Sequence, residues 1–388
     1  MNMNPRVCIA PPANIGIVGG GQLGRMMAQK AKKLGFTVTV LDPSPNSPAG
    51  QVADRQIVGS FSDAAKLREL VEQCEVTTYD LEHVDTRAMK DLAEEGHQIH
   101  PSPALLDLVQ DKLVQKEALS RSGIPTPEFC RLDRPSAAAF ERFGFPLVQK
   151  ARRGGYDGKG VAVLRSKEDL PRALPGESLI ERFIDVDKEL AVMVARGRDG
   201  AVRCYPVVEM VFDTRANILD LLLAPARIPD HVALEAQALA TRTVEVFDGV
   251  GVFGVEMFLS KTEKLFINEI APRPHNSGHY TIEACVTCQF EQHLRAITGL
   301  PLGATDLMRP AAMINLLGEQ DMAGRPIVEG LREAMSIPGV SVHVYGKWQT
   351  RPFRKMGHVT ILDEDLEEAR KKALRVKEIL KIKAEVRA

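Results

Sequence analysis

Two glutamates make the first case for chemistry. Glu256 lies in "VEMFLS" and Glu269 in "LFINEI", and only "KTEK" separates the two apolar runs, a length suited to a hairpin. If Ser260 faces Leu265, the same register sets Glu256 opposite Glu269. Like charges directly opposed across a ladder destabilise it. A hard divalent cation bound through oxygen would compensate, and Mg2+ usually arrives shared with phosphates. The other reading is a pair of surface glutamates splayed into water. Asn268 adjoins Glu269, but strict alternation points it to the opposite face.

Three further clusters carry charge or unusual backbone. In "KARRGGYDGKG", Lys150 ends an apolar strand and Gly154, Gly155, Gly158 and Gly160 follow. Glycines let backbone N–H groups approach phosphate oxygens, and Lys150 and Lys159 add charge. The segment lacks the helix and the Ser or Thr of a G-x-x-x-x-G-K-[ST] loop, so it reads as a flap between strands or as an ordinary glycine hairpin. In "NEIAPRPHNSGHYT", Pro272 and Pro274 fix the backbone around Arg273, with His275, Asn276 and Ser277 close behind. Such side chains can form an oxyanion pocket, or Arg273 can be a buried structural residue. In "YGKWQTRPFRKMGH", Lys347, Arg351, Arg354 and Lys355 suit a phosphate monoester, or a solvated basic loop.

A fourth motif points elsewhere. "NIGIVGGGQLGRM" sets Gly19, Gly21 and Gly24 in G-x-G-x-x-G spacing, and Asp42 closes the next apolar run, close to where a ribose-binding acid sits in a dinucleotide site. An NAD-dependent oxidoreductase explains these residues. It leaves Glu256, Glu269 and the glycine flap without purpose.

The elements that must position these groups follow from periodicity. "NIGIVG", "TVTVLD" and "VTTYDLE" read as strands. "QLGRMMAQKAKKLG" and "DAAKLRELVEQC" read as helices, the second capped by Ser62 or Asp63; together they predict a doubly wound parallel sheet. One long amphipathic helix is expected to run up to Gly123. The region beyond is α+β and mostly antiparallel: strand, glycine loop and strand around Lys150, then the strand "SLIERFI", an acidic turn "DVDKE", and a hairpin turning at Asp199-Gly200. A helix over "HVALEAQALATRTVEVFD" precedes the glutamate hairpin. Cys285 and Cys288, the only C-x-x-C, fall inside a predicted helix and lack a second pair for a thiolate metal site. A final helix puts Leu366, Ala369, Ala373, Val376 and Leu380 on one face.

Composition sets outer bounds. A chain of 388 residues with net charge −1 lacks the footprint of a general nucleic-acid binder. No apolar run approaches the ~20 residues of a membrane span. The first residues do not read as a signal peptide, and six cysteines in this length fit a reduced cytoplasmic setting.

Taken in order, "GGYDGKG", "NEIAPRPHNSGH" and "RKMGH" resemble the ATP-grasp superfamily, and within it the 5-(carboxyamino)imidazole ribonucleotide synthases of purine biosynthesis, from about Asn14 to Ile361. The resemblance implies an ATP-grasp fold, α/β and α+β. It has a doubly wound N-terminal domain (1–103), an ATP-grasp domain (104–300) with a flap subdomain near 125–190, and a small C-terminal domain (301–388). It implies ATP and Mg2+, with Mn2+ as the alternative ion. The implied substrates are bicarbonate and aminoimidazole ribonucleotide, in a cytoplasmic homodimer without nucleic-acid or membrane partners. Lys112 of "QDKL" and Lys150 match phosphate-binding residues; Gly155, Tyr156, Asp157, Gly158, Lys159 and Gly160 match the flap. Glu181, Arg182, Phe183 and Ile184 match the hinge whose backbone reads adenine, and Glu189 matches a ribose contact. Asn268 and Glu269 fall at the nucleotide, and Glu256 and Glu269 match the magnesium carboxylates. Gln22, Leu23, Glu82, Tyr156, Asp157, Lys159, Asn276, Ser277, Lys347 and Arg354 match the ribonucleotide site. Arg273 and His275 match the bicarbonate pocket, and with Lys150 and Asn276 are the implied catalytic residues. The first glycine loop would then line the ribonucleotide site, leaving Asp42 as a strand-end structural residue.

The implied reaction has two steps. Bicarbonate attacks the γ-phosphate of ATP, giving carboxyphosphate and ADP; the amine then attacks the carboxyl carbon, or carbon dioxide released beside it. The sequence departs from the family pattern at three places. Met210 and Phe212 stand where E-N-x-H is usual, Phe353 replaces a usual Gly, and Tyr280 stands where Trp is common. Rival readings are another ATP-grasp ligase, such as the formate-dependent glycinamide ribonucleotide transformylase or a biotin carboxylase, the oxidoreductase above, and a catalytically dead nucleotide-binding regulator.

Overall fold

The computed structural model describes residues 8–154, 160–213 and 218–385. Near the N-terminus, β1 (Asn14–Val18), β2 (Thr37–Asp42), β3 (Arg55–Val58) and β4 (Val76–Tyr79) form a parallel sheet in the order β3-β2-β1-β4. Helices α1 (Gln22–Lys33), α2 (Ala64–Val71) and α3 (Thr86–Glu94) interleave with the strands. β1 is central and covered on both faces, which is why its residues are continuously apolar rather than alternating. Periodicity missed β3 because it is an edge strand in which only Ile57 is buried. Of the two proposed caps for α2, Asp63 is the one used: it accepts the N–H groups of Ala65 and Lys66.

The single helix expected before Gly123 is two, α4 (Pro103–Val109) and α5 (Lys112–Arg121). The break is made by buried Asp111. Its side chain accepts the N–H groups of Leu113 and Val114 and is clamped by Arg152 at 2.6 Å. Burial pushes this carboxyl up, but Arg152 and the amide donors outweigh it and hold it below the usual range. The cap turns the chain so that α5 starts at Lys112.

β5 (Phe129–Leu132), α6 (Ala137–Phe143), β6 (Leu147–Ala151), β7 (Val161–Leu164) and β8 (Ser178–Arg182) form an antiparallel unit, ordered β5-β8-β6-β7, around Leu132, Phe140, Leu147, Leu164 and Ile180. The glycine segment joins β6 to β7. Gly155, Tyr156, Asp157, Gly158 and Lys159 lie outside the described residues; Gly160 closes the loop at φ +78°.

The large sheet comprises β9 (Val186–Arg196), β10 (Val202–Cys204), β11 (Val208–Asp213), β12 (Ile218–Ala224), β13 (Gly251–Ser260), β14 (Leu265–Ala271), β15 (Ala311–Leu317), β17 (Val340–Val344) and β18 (Lys355–Leu362). Among the described residues its order is β14-β13-β9-β11-β12-β15-β18-β17, with β10 on β9. β16 (Pro326–Glu329) and β19 (Lys381–Ala384) pair separately. "DVDKE" is not a turn: Val186 and Lys188 already pair with Ser260 and Leu259 of β13, which satisfies their backbone. Of the strands after residue 301, β15, β17 and β18 continue the central sheet through the β12–β15 pairing, and α11 (Leu366–Ile379) buries Ala369, Ala373 and Val376 against them.

Helices α7 (Asp230–Val246), α8 (Thr281–Ala284), α9 (Gln289–Thr298) and α10 (Leu331–Met335) complete the chain. The C-x-x-C lies in the break between α8 and α9, not in one helix. Val286 and Thr287 donate instead to the carbonyls of Asp306 and Ala304, and Cys288 becomes the N-cap of α9. Both cysteines are buried and free. α9 joins the sheets through His293. Its Nδ1 accepts the Val252 N–H of β13 at 3.0 Å, so Nε2 carries the proton and donates to Thr78 Oγ1 of β4 at 2.7 Å. Burial pushes this imidazole down to about 3, so it is a neutral clamp between the N-terminal and central sheets.

Candidate active site

The glutamate hairpin reaches the expected pairing by an unexpected route. Leu265 faces Leu259, not Ser260, and the register continues through Phe258–Phe266 and Met257–Ile267. A β-bulge then adds Asn268 as an extra residue, and beyond it Glu256 faces Glu269. The turn sets the first register: Ser260 N–H donates to the Lys264 carbonyl, and Glu263 takes a left-handed φ of +56°. The bulge also changes where Asn268 points. Alternation sent it away, yet its Oδ1 accepts from Lys150 Nζ at 2.8 Å, on the side where Lys112 reaches Glu269.

A layer of lysines covers the pair. Lys112 Nζ lies 2.5 Å from Glu269 Oε2 and holds that carboxyl well below its ordinary range. Burial, together with the charge on Glu269, drives Glu256 up instead. The two carboxylates are therefore not comfortably ionised together without a further positive charge. Among the described residues no group of three or more His, Cys, Asp or Glu converges on a metal position. Glu256 and Glu269 fit a hard cation that takes its remaining oxygens from polyphosphate and water.

Behind this layer, Lys150 Nζ also pairs with Glu181 Oε2 at 2.8 Å, and the other oxygen lies 3.3 Å from Lys116 Nζ, an ion pair without a hydrogen bond among the described residues. Burial alone would push Glu181 up; the two lysines reverse this. Glu189 sits on β9 across from Met210 and Phe258, and burial raises its carboxyl to about 7. The Arg182 side chain turns away, to Glu128 at 3.3 Å and over the Phe143 ring, leaving only its backbone for a ligand. Phe183 and Ile184 link β8 to β9; Arg165 stacks over Phe183.

Past β14, the proline-locked segment presents Arg273 and His275. Arg273 Nη2 pairs with Glu82 at 2.8 Å and Nη1 donates to the Pro274 carbonyl; Nε is buried without an acceptor among the described residues. His275 packs over Gly254, where an added Cβ would come within 2.6 Å of the His275 Cβ. Its backbone is fixed at both ends by Gln289, which accepts its N–H and donates to its carbonyl, each at 2.8 Å. Ser277 N–H points at His275 Nδ1, so Nε2 carries the proton and faces Glu256 Oε1 at 3.6 Å. Asn276 and Ser277 form the short 3-10 turn behind it, with Ser277 Oγ 2.9 Å from Nδ1.

The first glycine loop is internally satisfied. Gly20 N–H donates to Asp42 Oδ2 at 2.8 Å and Gly24 N–H to Asp80 Oδ2 at 3.1 Å. Asp42 is thus a strand-end brace. Asp80, raised to about 6 by burial, also feels the charge of Arg273 and so ties the loop to the pocket. Gln22 and Leu23 open α1 above it, Leu23 buried and Gln22 half-buried. The basic C-terminal loop is stapled to the same domain: Gln51 donates to the Gly346 carbonyl and Trp348 Nε1 to the Asn46 carbonyl. Within it, Lys347 donates to the Lys355 carbonyl and Arg354 to the Gln349 carbonyl. Phe353 keeps a left-handed φ of +61°. Met210 and Phe212 join an apolar cluster with Met193 and Leu219, while Glu209 is held by Arg227 at 2.6 Å. Buried Tyr280 donates to the Pro206 carbonyl.

Sequence reasoning missed Lys116, Asp80 and Gly254. The first two had signals. Lys116 lies four residues after Lys112, on one helix face, and Asp80 ends a parallel strand just as Asp42 does.

Comparison with known proteins closes the question of family. The ATP-grasp domain pattern matches residues 117–290, the ribonucleotide synthetase preATP-grasp domain residues 13–110, and the phosphoribosylaminoimidazole carboxylase C-terminal domain residues 311–372. The N5-carboxyaminoimidazole ribonucleotide synthase of Synechococcus elongatus is 42% identical over 92% of this chain and 91% of its own. The chain belongs to the N5-carboxyaminoimidazole ribonucleotide synthase family. The family's crystal structure from Thermotoga maritima superposes with a TM-score of 0.89 at 54% identity, covering 96% of this chain and all of that one. The synthase of Aspergillus clavatus, solved with ADP and 5-aminoimidazole ribonucleotide, gives 0.86 at 36% identity, covering 97% and 99%. Some fungal and plant phosphoribosylaminoimidazole carboxylases are longer, and the chain spans about two thirds of each. No helix of the described residues is long and apolar enough to cross a membrane.

Proposed function

We propose that this chain carboxylates the exocyclic amine of 5-aminoimidazole ribonucleotide at the expense of ATP and bicarbonate. The observation that carries the reading is the half-buried, face-to-face Glu256–Glu269 pair with Lys112 and Lys150 beside it, an arrangement that a polyphosphate and its metal would complete. Backbone of Glu181–Ile184 takes adenine, Glu189 the ribose, and Lys112, Lys150 and the flap ending at Gly160 the phosphates. Glu256 and Glu269 hold Mg2+, which when bound neutralises charge on the transferring phosphoryl group. Arg273, with a buried donor to spare, and the Nε2–H of His275 orient bicarbonate. One bicarbonate oxygen bonds to the γ-phosphorus as the bond to ADP breaks, giving carboxyphosphate. The ribonucleotide, held by Gln22, Leu23, Glu82, Asn276, Ser277, Lys347 and Arg354, presents its amine. The new N–C bond forms, phosphate leaves with the electrons of the C–O bond, and the amine loses a proton.

ADP release from Mg-ATP tests this, measured with bicarbonate or formate, with and without the ribonucleotide, alongside NADH titration. Turnover should require bicarbonate and rise sharply with the ribonucleotide, without NADH binding. Formate dependence would move the chain to another ATP-grasp ligase, and NADH affinity would overturn the reading.

A further inference from the structure

Lys116 is fully buried, an expensive place for an ammonium group. It donates to Thr126 Oγ1 at 2.6 Å and to the Ile267 carbonyl at 3.0 Å, and pairs with Glu181 Oε1 at 3.3 Å. The other Glu181 oxygen takes Lys150 at 2.8 Å. One carboxylate charge is therefore shared by two ammonium groups, only one of which has another acceptor at the site edge, Asn268. Lys112, one turn earlier on α5, reaches Glu269, so the two lysines of one helix face grip β14 on either side of its bulge.

We infer that Lys116 is a positioning residue for the nucleotide: by sharing the charge of Glu181 it leaves the Lys150 ammonium available to the phosphates. This rests on the nucleotide reading above. Without Lys116 the buried Glu181 carboxylate has Lys150 as its only counter-ion, and phosphate must compete for that cation. A purely structural ion pair would act on stability alone. The charge-sharing role acts on nucleotide affinity and is relieved by removing the Glu181 charge.

The test is calorimetric titration of Mg-ATP into wild type, Lys116→Met, Lys116→Arg, Glu181→Gln and the Lys116→Met/Glu181→Gln double variant, with KM and kcat for ATP and ribonucleotide on each. Lys116→Met should weaken ATP by about tenfold or more while the ribonucleotide KM holds within about twofold. Arginine should recover most of the affinity, and the double variant should bind ATP within about threefold of Glu181→Gln. If Lys116→Met does not fold, Lys116→Gln, which keeps a donor without the charge, takes its place in every comparison. Unchanged affinity in folded Lys116→Met, or a folded double variant no better than the single, overturns the inference. Wild type failing to bind Mg-ATP would instead overturn the nucleotide reading itself.

Discussion

The glycine loop at residues 19–24 and the glutamate hairpin of β13 and β14 differ in what their polar groups still lack. The loop has the spacing of a dinucleotide site, yet Asp42 and Asp80 already accept from Gly20 and Gly24. Two protein carboxylates stand where a pyrophosphate would find donors. The hairpin has no glycine fingerprint, yet it holds Glu256 and Glu269 face to face, one driven up and the other down. Spacing announces a geometry. Which donors and charges remain unsatisfied decides what that geometry can bind.

The sharpest way to break the contrast is to remove the unsatisfied charge. Glu269→Gln keeps the shape of the hairpin but loses the carboxylate that Lys112 and a cation both need. Turnover should fall by about two to three orders of magnitude or more, with the melting temperature lowered in the absence of nucleotide. The fall in melting temperature is expected because Lys112 holds the Glu269 carboxyl well below its ordinary range, so the ionised carboxylate stabilises the native chain, whereas glutamine leaves Lys112 only a neutral acceptor. Steady-state rates and a thermal melt without ligand check both halves. Near-normal rates would place the metal elsewhere.

How far this was readable beforehand follows the same line. The strands around Asn14–Asp42, the hairpin and the last helix declare themselves through apolar period, because burial of one face or both is a property of the local sequence. The opposition of Glu256 and Glu269 was legible from loop length, but for a mistaken reason. The turn sets a register one residue off, and the bulge at Asn268 restores it. A bulge leaves no periodic mark, so the reach of Asn268 to Lys150 was hidden as well. The breaks at Asp111 and at Cys285–Cys288 were hidden for another reason. Their backbone partners, Arg152 beside the cap and residues 304–306 beside the cysteines, come from distant sequence.

A middle-sized effect tests the satisfied side of the comparison. Burial raises Asp80 to about 6, above its value in an unfolded chain, so the native state holds the proton more tightly. Its contribution to stability is full below the unfolded value and is lost as pH rises through about 6. Asp80→Asn keeps an acceptor for the Gly24 N–H without the charge. Wild type and variant should melt together below about pH 4, the variant gaining by several degrees as pH rises through about 6 and keeping that gain above it. Parallel melting curves across that range would mean the loop does not bear a strained carboxylate.

The smallest effect concerns the third loop that faces an anion in the proposed mechanism. Phe353 stands at φ +61°, a conformation that costs an L-residue about 1 kcal/mol or more, and its ring is exposed to 36%. The loop keeps the shape a glycine would give it, held by Phe353 N–H donating to the Gly318 carbonyl and Arg354 N–H to the Arg351 carbonyl. Phe353→Gly relieves the strain but frees the unfolded chain, so the net gain should be below about 1 kcal/mol. The KM for ribonucleotide should stay within about twofold, because Lys347 and Arg354 are anchored by their own contacts to neighbouring carbonyls. A large change in that KM, with ATP unaffected, would show that the phenylalanine itself shapes the phosphate site. The basic loop would then belong with the hairpin, as a place whose unmet contacts are completed by ligand, rather than with the glycine loop that the protein has already filled.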